Sequence, residues 1–87
     1  MSEPTVPFLR LLFFGPAREC LGASHGEIEA DGPLAVEELW ARLQARHPRL
    51  KPLRATTRLA RDGEFLAADA LLRPGDEVAL IPPVSGG

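Results

Sequence analysis

The chain has 87 residues, 45% of them apolar, with 12 acidic and 10 basic side chains and a formal net charge of −2. That length allows one domain with one modest core, and the mild acidity excludes the basic stripe of a nucleic-acid binder. A single cysteine, Cys20, excludes an internal disulfide framework and fits a reducing compartment, and no apolar run approaches the roughly 20 residues of a membrane span.

Residues 1–7 are polar, carry two prolines and read as a flexible arm. They lack the basic and apolar regions of a secretory signal, so a cytoplasmic protein is expected. Phe8–Phe14, FLRLLFF, is short, apolar and closed by Gly15-Pro16, which predicts a strand. Strand alternation turns Leu9, Leu11 and Phe13 toward a core. It leaves Phe8, Arg10, Leu12 and Phe14 on a partly wet face. Pro16 opens a short helix and Gly22 closes it, with Ala17 and Leu21 inward and Arg18 and Glu19 outward. Cys20 reads as a packing residue, because no basic cluster beside it would stabilise a thiolate. Ser24–Ala30 is a weaker strand with His25, Glu27 and Glu29 outward and Gly26, Ile28 and Ala30 inward. Asp31-Gly32-Pro33 ends it. His25 has no second ligand at a metal-binding spacing.

Ala35–His47 is the main helix. Val36, Leu39, Trp40 and Leu43 form one apolar stripe at helical spacing. Glu37 and Glu38 suit the first turn, Arg46 and His47 the last, and Glu38 can pair with Arg42. No Ser, Thr, Asp or Asn caps the start, and Pro48 ends the helix. Arg49–Ala55 reads as a basic loop. Thr57–Arg61 and Glu64–Leu66 flank Asp62-Gly63, a hairpin signal, so the carboxylates of Asp62 and Glu64 read as turn chemistry. Ala67–Leu72 reads as irregular, with Leu71 and Leu72 plugging the core. The turn 73–76 feeds a last strand, Glu77–Ile81, with Val78 and Leu80 on one face. One amphipathic helix on a small mixed sheet is the economical packing, an α+β arrangement of the β-grasp, ubiquitin-like kind. Its uncovered face would carry Phe14, Phe65 and Ile81, a docking surface unless loops cover it.

The chain closes on PPVSGG. Pro82 and Pro83 hold the backbone extended, and Gly86-Gly87 remove every side chain from the last two positions. The domain is expected to span 8–82 and the tail 83–87, and five residues reach roughly 16 Å at full extension. A narrow channel in another protein would admit Gly-Gly where a Cβ clashes. No nucleophile–base pair, metal set or phosphate loop occurs in the sequence. The reactive group is therefore expected to be the C-terminal carboxylate of Gly87, with a disordered, inert terminus as the plain alternative. The chain itself is expected to bind no cofactor. Adenylation by ATP and Mg²⁺ on a partner would activate Gly87, and a persulfide donor would convert it to a thiocarboxylate.

LLFFGPARECLG at 11–22, VEELWARL at 36–43 and LRPGDEVALIPPVSGG at 72–87 resemble the small, sulfur-carrying subunits of molybdopterin synthase, of the ThiS type. The resemblance spans nearly all of residues 8–87. It implies a β-grasp fold and a ubiquitin-activating-enzyme-like adenylyltransferase as partner. It implies a tail of Pro83, Val84, Ser85, Gly86 and Gly87 inserted into a large synthase subunit, two small and two large subunits per complex. Sulfur would pass there to cyclic pyranopterin monophosphate. By position Phe14, Phe65 and Ile81 match the family's apolar docking patch, and Arg18 a polar contact beside it. The sequence departs from the family where Ala35 replaces a capping Thr or Ser, Asp62 an Asn, and Ile81 a Phe. A carrier for thiamine, tRNA thiolation or cysteine synthesis, a protein modifier conjugated through Gly87, and an interaction module with an inert tail remain the other readings.

Overall fold

The two strands furthest apart in sequence lie side by side at the centre of the sheet. In a computed structural model that describes residues 7–83, β1 (Phe8–Phe13) and β7 (Glu77–Ile81) pair in parallel, with Leu11 beside Val78 and Phe13 beside Leu80. β2 (His25–Glu29) runs antiparallel along the free side of β1. β4 (Arg58–Arg61) runs antiparallel along the free side of β7, and β5 (Glu64–Phe65) folds back on β4. The order is β2-β1-β7-β4-β5. The hairpin between β4 and β5 turns on Asp62 and Gly63, at φ 55° and 80°. Asn-Gly and Asp-Gly pairs suit this turn because the mirror-image geometry needs two positive φ angles.

Alternation sorts the sheet into two faces. Leu9, Leu11, Phe13, Ile28, Leu59, Val78 and Leu80 all point inward and are buried. α2 (Val36–Arg46) lays Leu39, Trp40 and Leu43 against them. Each such side chain contributes about 1.5–3 kcal/mol of transfer free energy. Ala35 caps α2 without a side-chain hydrogen bond, as the sequence predicts, and Glu37 and Glu38 in the first turn offset the bare amides. Glu38 and Arg42 pair at 3.1 Å on the solvent side, which adds a few tenths of a kcal/mol, roughly. α1 (Gly15–Leu21) adds Ala17 to the core and is closed by Gly22, whose N–H donates to the Arg18 carbonyl at 2.9 Å.

Two segments differ from the sequence reading. The stretch read as a basic loop is a 3-10 helix, Pro48–Thr56, and Leu50 within it is fully buried. Arg54 ties it to α2 by lying over Trp40 at 5.9 Å and pairing with Glu37. The stretch read as irregular ends in β6 (Leu71–Leu72), which pairs with β3 (Leu34–Ala35). Alternation within that two-residue strand lets only Leu72 plug the core. Leu71 is 49% exposed.

The outer edge of β2 is covered. Phe13 N–H donates to Ser24 O and Ala30 N–H to Pro7 O, so the even-numbered residues of this strand face β1 and Glu27 and Glu29 face away. Arg42 Nη1 donates to the Glu29 carbonyl at 2.9 Å, and Arg46 Nη1 to the Glu27 carbonyl at 3.4 Å. Two arginines of α2 thus occupy acceptors that an edge strand otherwise leaves open.

Asp76 anchors the start of β7. Its Oδ2 accepts from Arg61 Nη1 at 3.0 Å and from the Arg73 N–H at 2.9 Å, while Arg61 Nη1 also donates to the Leu71 carbonyl at 2.8 Å. Asp76→Ala is expected to cost about 2 kcal/mol, because hydrogen bonds to charged groups contribute more than neutral ones. A thermal melt should show a midpoint lower by about 10 °C.

Candidate functional site

The strand registers lay out the outer face of the sheet in rows. One row holds Glu27, Arg10 and Glu77. The next holds His25, Leu12, Ala79, Ala60 and Phe65. A third places Ile81 beside Arg58. The face is charged at one end and apolar at the other. The apolar end lies where β1 and β7, being parallel, both finish. The chain therefore leaves the sheet beside its own apolar patch.

Phe14 continues that patch from outside the strand. It is the N-cap of α1, with extended backbone at φ −127° and ψ 155°, so its side chain stays on the outer face predicted for it. Phe14 is 44% exposed and Phe65 50%, and Ile81 is half-buried. A shallow concavity of about 400 Å³ is lined by Leu12, Phe14, Ala60, Phe65, Ala79 and Ile81, with Asp62, Gly63 and Glu77. Three residues expected to act together, Phe14, Phe65 and Ile81, are thus brought together. Arg18 lies to one side. It is exposed on α1 and lines a neighbouring depression with Phe14, Arg10, Ser24 and His25.

Arg58 was not singled out by the sequence reading. Its guanidinium centre sits 3.8 Å from the centroid of the Phe65 ring. The signal was present. Asp62-Gly63 fixes Ala60 opposite Phe65, and alternation then puts Arg58 on the same face one step further along.

Gly15 and Pro82 fix where the tail begins. Gly15 has φ +55°, and a Cβ built there would stand 3.0 Å from Pro82 Cγ and 3.1 Å from Pro82 Cβ. The pyrrolidine ring packs into the space that the absent side chain leaves. Pro83 follows, exposed. Val84, Ser85, Gly86 and Gly87 lie outside the described residues. Gly15→Ala is expected to lower stability by about 1–2 kcal/mol, since it combines a positive φ with contact against the ring. Chemical denaturation should show the lower midpoint.

Among the described residues no group of three or more His, Cys, Asp or Glu could hold a metal ion, and no helix is long and apolar enough to cross a membrane. Cys20 is free and half-buried against the core. His25 is exposed and lies 3.3 Å from Ser24 Oγ through its Nδ1.

The ThiS family matches residues 11–87, which includes every strand and helix except the first three residues of β1. The chain belongs to the ThiS family. A similar curated member is the molybdopterin synthase sulfur carrier subunit of Chlamydomonas reinhardtii, 35% identical over 81 residues, 91% of this chain and 98% of the relative. Solved structures agree on the fold. The small archaeal modifier protein 1 of Haloferax volcanii aligns with a TM-score of 0.77 at 27% identity, covering 88% of this chain and 98% of that one. A chain of the complex of subunits 1 and 2 of molybdopterin-converting factor from Helicobacter pylori aligns with a TM-score of 0.66 at 28% identity, covering 92% and 99%. The mixed sheet with its crossing helix is the β-grasp arrangement expected from the sequence.

Proposed function

We propose that this ThiS-family chain is the sulfur-carrier subunit of molybdopterin synthase, with the carboxyl group of Gly87 as the site that carries sulfur. The observation that supports it most is where the last strand ends, at Ile81 and Pro82 beside the apolar face. The sequence IPPVSGG leaves the sheet at Pro82, beside the apolar face of Phe14, Phe65 and Ile81. A partner that buries that face is placed to receive the tail.

The body, 8–82, serves as the handle, and residues 83–87 as the reactive arm. Pro83, Val84, Ser85, Gly86 and Gly87 enter the partner's channel. A carboxylate is a poor electrophile, so an adenylyltransferase with ATP and Mg²⁺ first attaches AMP to the Gly87 carboxyl oxygen, and pyrophosphate leaves. A persulfide sulfur attacks the acyl carbon and expels AMP. A thiol then cleaves the S–S bond and leaves a thiocarboxylate, a strong nucleophile when ionised. In the large subunit that sulfur passes to cyclic pyranopterin monophosphate. The chain supplies no catalytic side chain; Phe14, Phe65 and Ile81 dock it and Arg18 makes a polar contact at the margin. Two small and two large subunits assemble, in the cytoplasm.

The test is the intact mass of protein isolated from its own cells, followed by mapping of the C-terminal peptide. Oxygen replaced by sulfur at Gly87 is the expected result. A plain carboxylate that stays unchanged after incubation with activating enzyme, ATP and sulfur donor overturns the reading. Similarity to a small archaeal modifier protein supports a second use of the same activated Gly87, as an acyl donor to lysine amines. Lysine-linked ladders that vanish when Gly86 and Gly87 are removed would reveal it.

A further inference from the structure

The apolar patch has a cation built into it. Arg58 lies over Phe65, with its guanidinium centre 3.8 Å from the ring centroid, and it stands beside Ile81 in the strand register. It is exposed, and its inward neighbour Leu59 carries the packing of β4. Among the described residues, Arg42, Arg54 and Arg61 each pair with a carboxylate, and Arg58 does not.

We propose that Arg58 determines partner specificity: stacked on Phe65, it presents a preformed guanidinium to an Asp or Glu side chain of the large synthase subunit. The inference rests on the sulfur-carrier reading, which supplies a partner for this face. The physical argument concerns desolvation. Any surface that buries Phe65 also covers the ring-bound guanidinium and strips its water. A guanidinium that loses water without gaining acceptors is strongly unfavourable. Its planar donor edge is suited to two parallel bonds to one carboxylate. Stacking on the ring has already fixed the side chain, so little rotamer freedom is lost on binding. The other charges of the outer face do not supply the acceptor. Glu27 and Glu77 flank Arg10 in the row at the far end of the face. Asp62 and Glu64 sit on the hairpin beyond Phe65, and neither is within ion-pair distance of Arg58.

The experiment measures association of the full-length chain with the large subunit across a range of salt concentrations. Arg58→Gln is expected to weaken binding about ten-fold and to flatten the salt dependence of the association rate. Arg58→Lys keeps the charge and loses the fork, and should lie between the two. Arg49→Gln removes the same charge from the 3-10 helix, on the helical side of the sheet, and should stay within about two-fold of the parent. Arg58→Glu should regain affinity when one acidic residue on the partner's contacting face is changed to Lys. Thermal melts of all four variants should match the parent, since both arginines are exposed. The proposal is overturned if Arg58→Gln follows Arg49→Gln in affinity and salt slope while Phe65→Asp still abolishes binding. The docking face then stands without Arg58. If the parent chain does not bind the large subunit, the sulfur-carrier reading itself fails, and this proposal with it.

Discussion

Removing Gly86 and Gly87 is expected to leave the fold intact and to end sulfur transfer. Neither residue has a side chain to bury, so the free energy of unfolding should change by less than about 0.5 kcal/mol. The chemistry is far less tolerant. The new carboxylate, on Ser85, falls short by two residues, roughly 7 Å of extended chain. A misplacement of about 1 Å at a reacting centre already costs on the order of 100-fold. The measurement is molybdopterin formed from the pterin precursor by truncated protein, large subunit, activating enzyme, ATP and sulfur donor. The expected yield is background. Transfer that survives truncation would remove Gly87 from the mechanism.

The second large effect is expected at Phe65. Phe65→Asp should weaken binding to the large subunit by about 100-fold or more, because burying a Phe contributes about 1.5–3 kcal/mol and a carboxylate left in its place costs more. The fold should tolerate it. Phe65 is half exposed on a two-residue edge strand, and a carboxylate there is near Arg58. Titration calorimetry with pre-formed thiocarboxylate separates docking from loading. Tight binding by Phe65→Asp, with the melt unchanged, would take the outer face out of the interface.

Much of this architecture was legible in the sequence, for physical reasons that differ by element. The stripe of Leu39, Trp40 and Leu43 is long enough for a helical period to stand out, and all three are buried. Asp62-Gly63 fixed a hairpin because few residue pairs adopt two positive φ angles. The 3-10 helix was hidden. Pro48 and Pro52 break an α-helical pattern, and three basic residues obscure the spacing of Leu50 and Leu53, which matches a three-residue turn. The ribbon of Leu34–Ala35 with Leu71–Leu72 is two residues deep, too short for any period to show. At the site, Phe14 and Ile81 were readable from alternation. Arg58 is legible only when two signals are combined: Asp62-Gly63 sets Ala60 opposite Phe65, and alternation then puts Arg58 on the same face, diagonal to the ring on the neighbouring strand.

The central position of β7 has a mechanical consequence. Any pull applied to the chain beyond Pro83 is carried by Pro82 straight into β7. That strand is hydrogen-bonded along β1 on one side and β4 on the other. A force along its axis loads both ladders in shear, so many bonds share the strain, whereas a strand peeled from an edge gives way one bond at a time. On the proposed function, a carrier threaded into one protein and withdrawn for the next would be tugged repeatedly at this one point. Its handle is joined to the sheet where tension is best resisted.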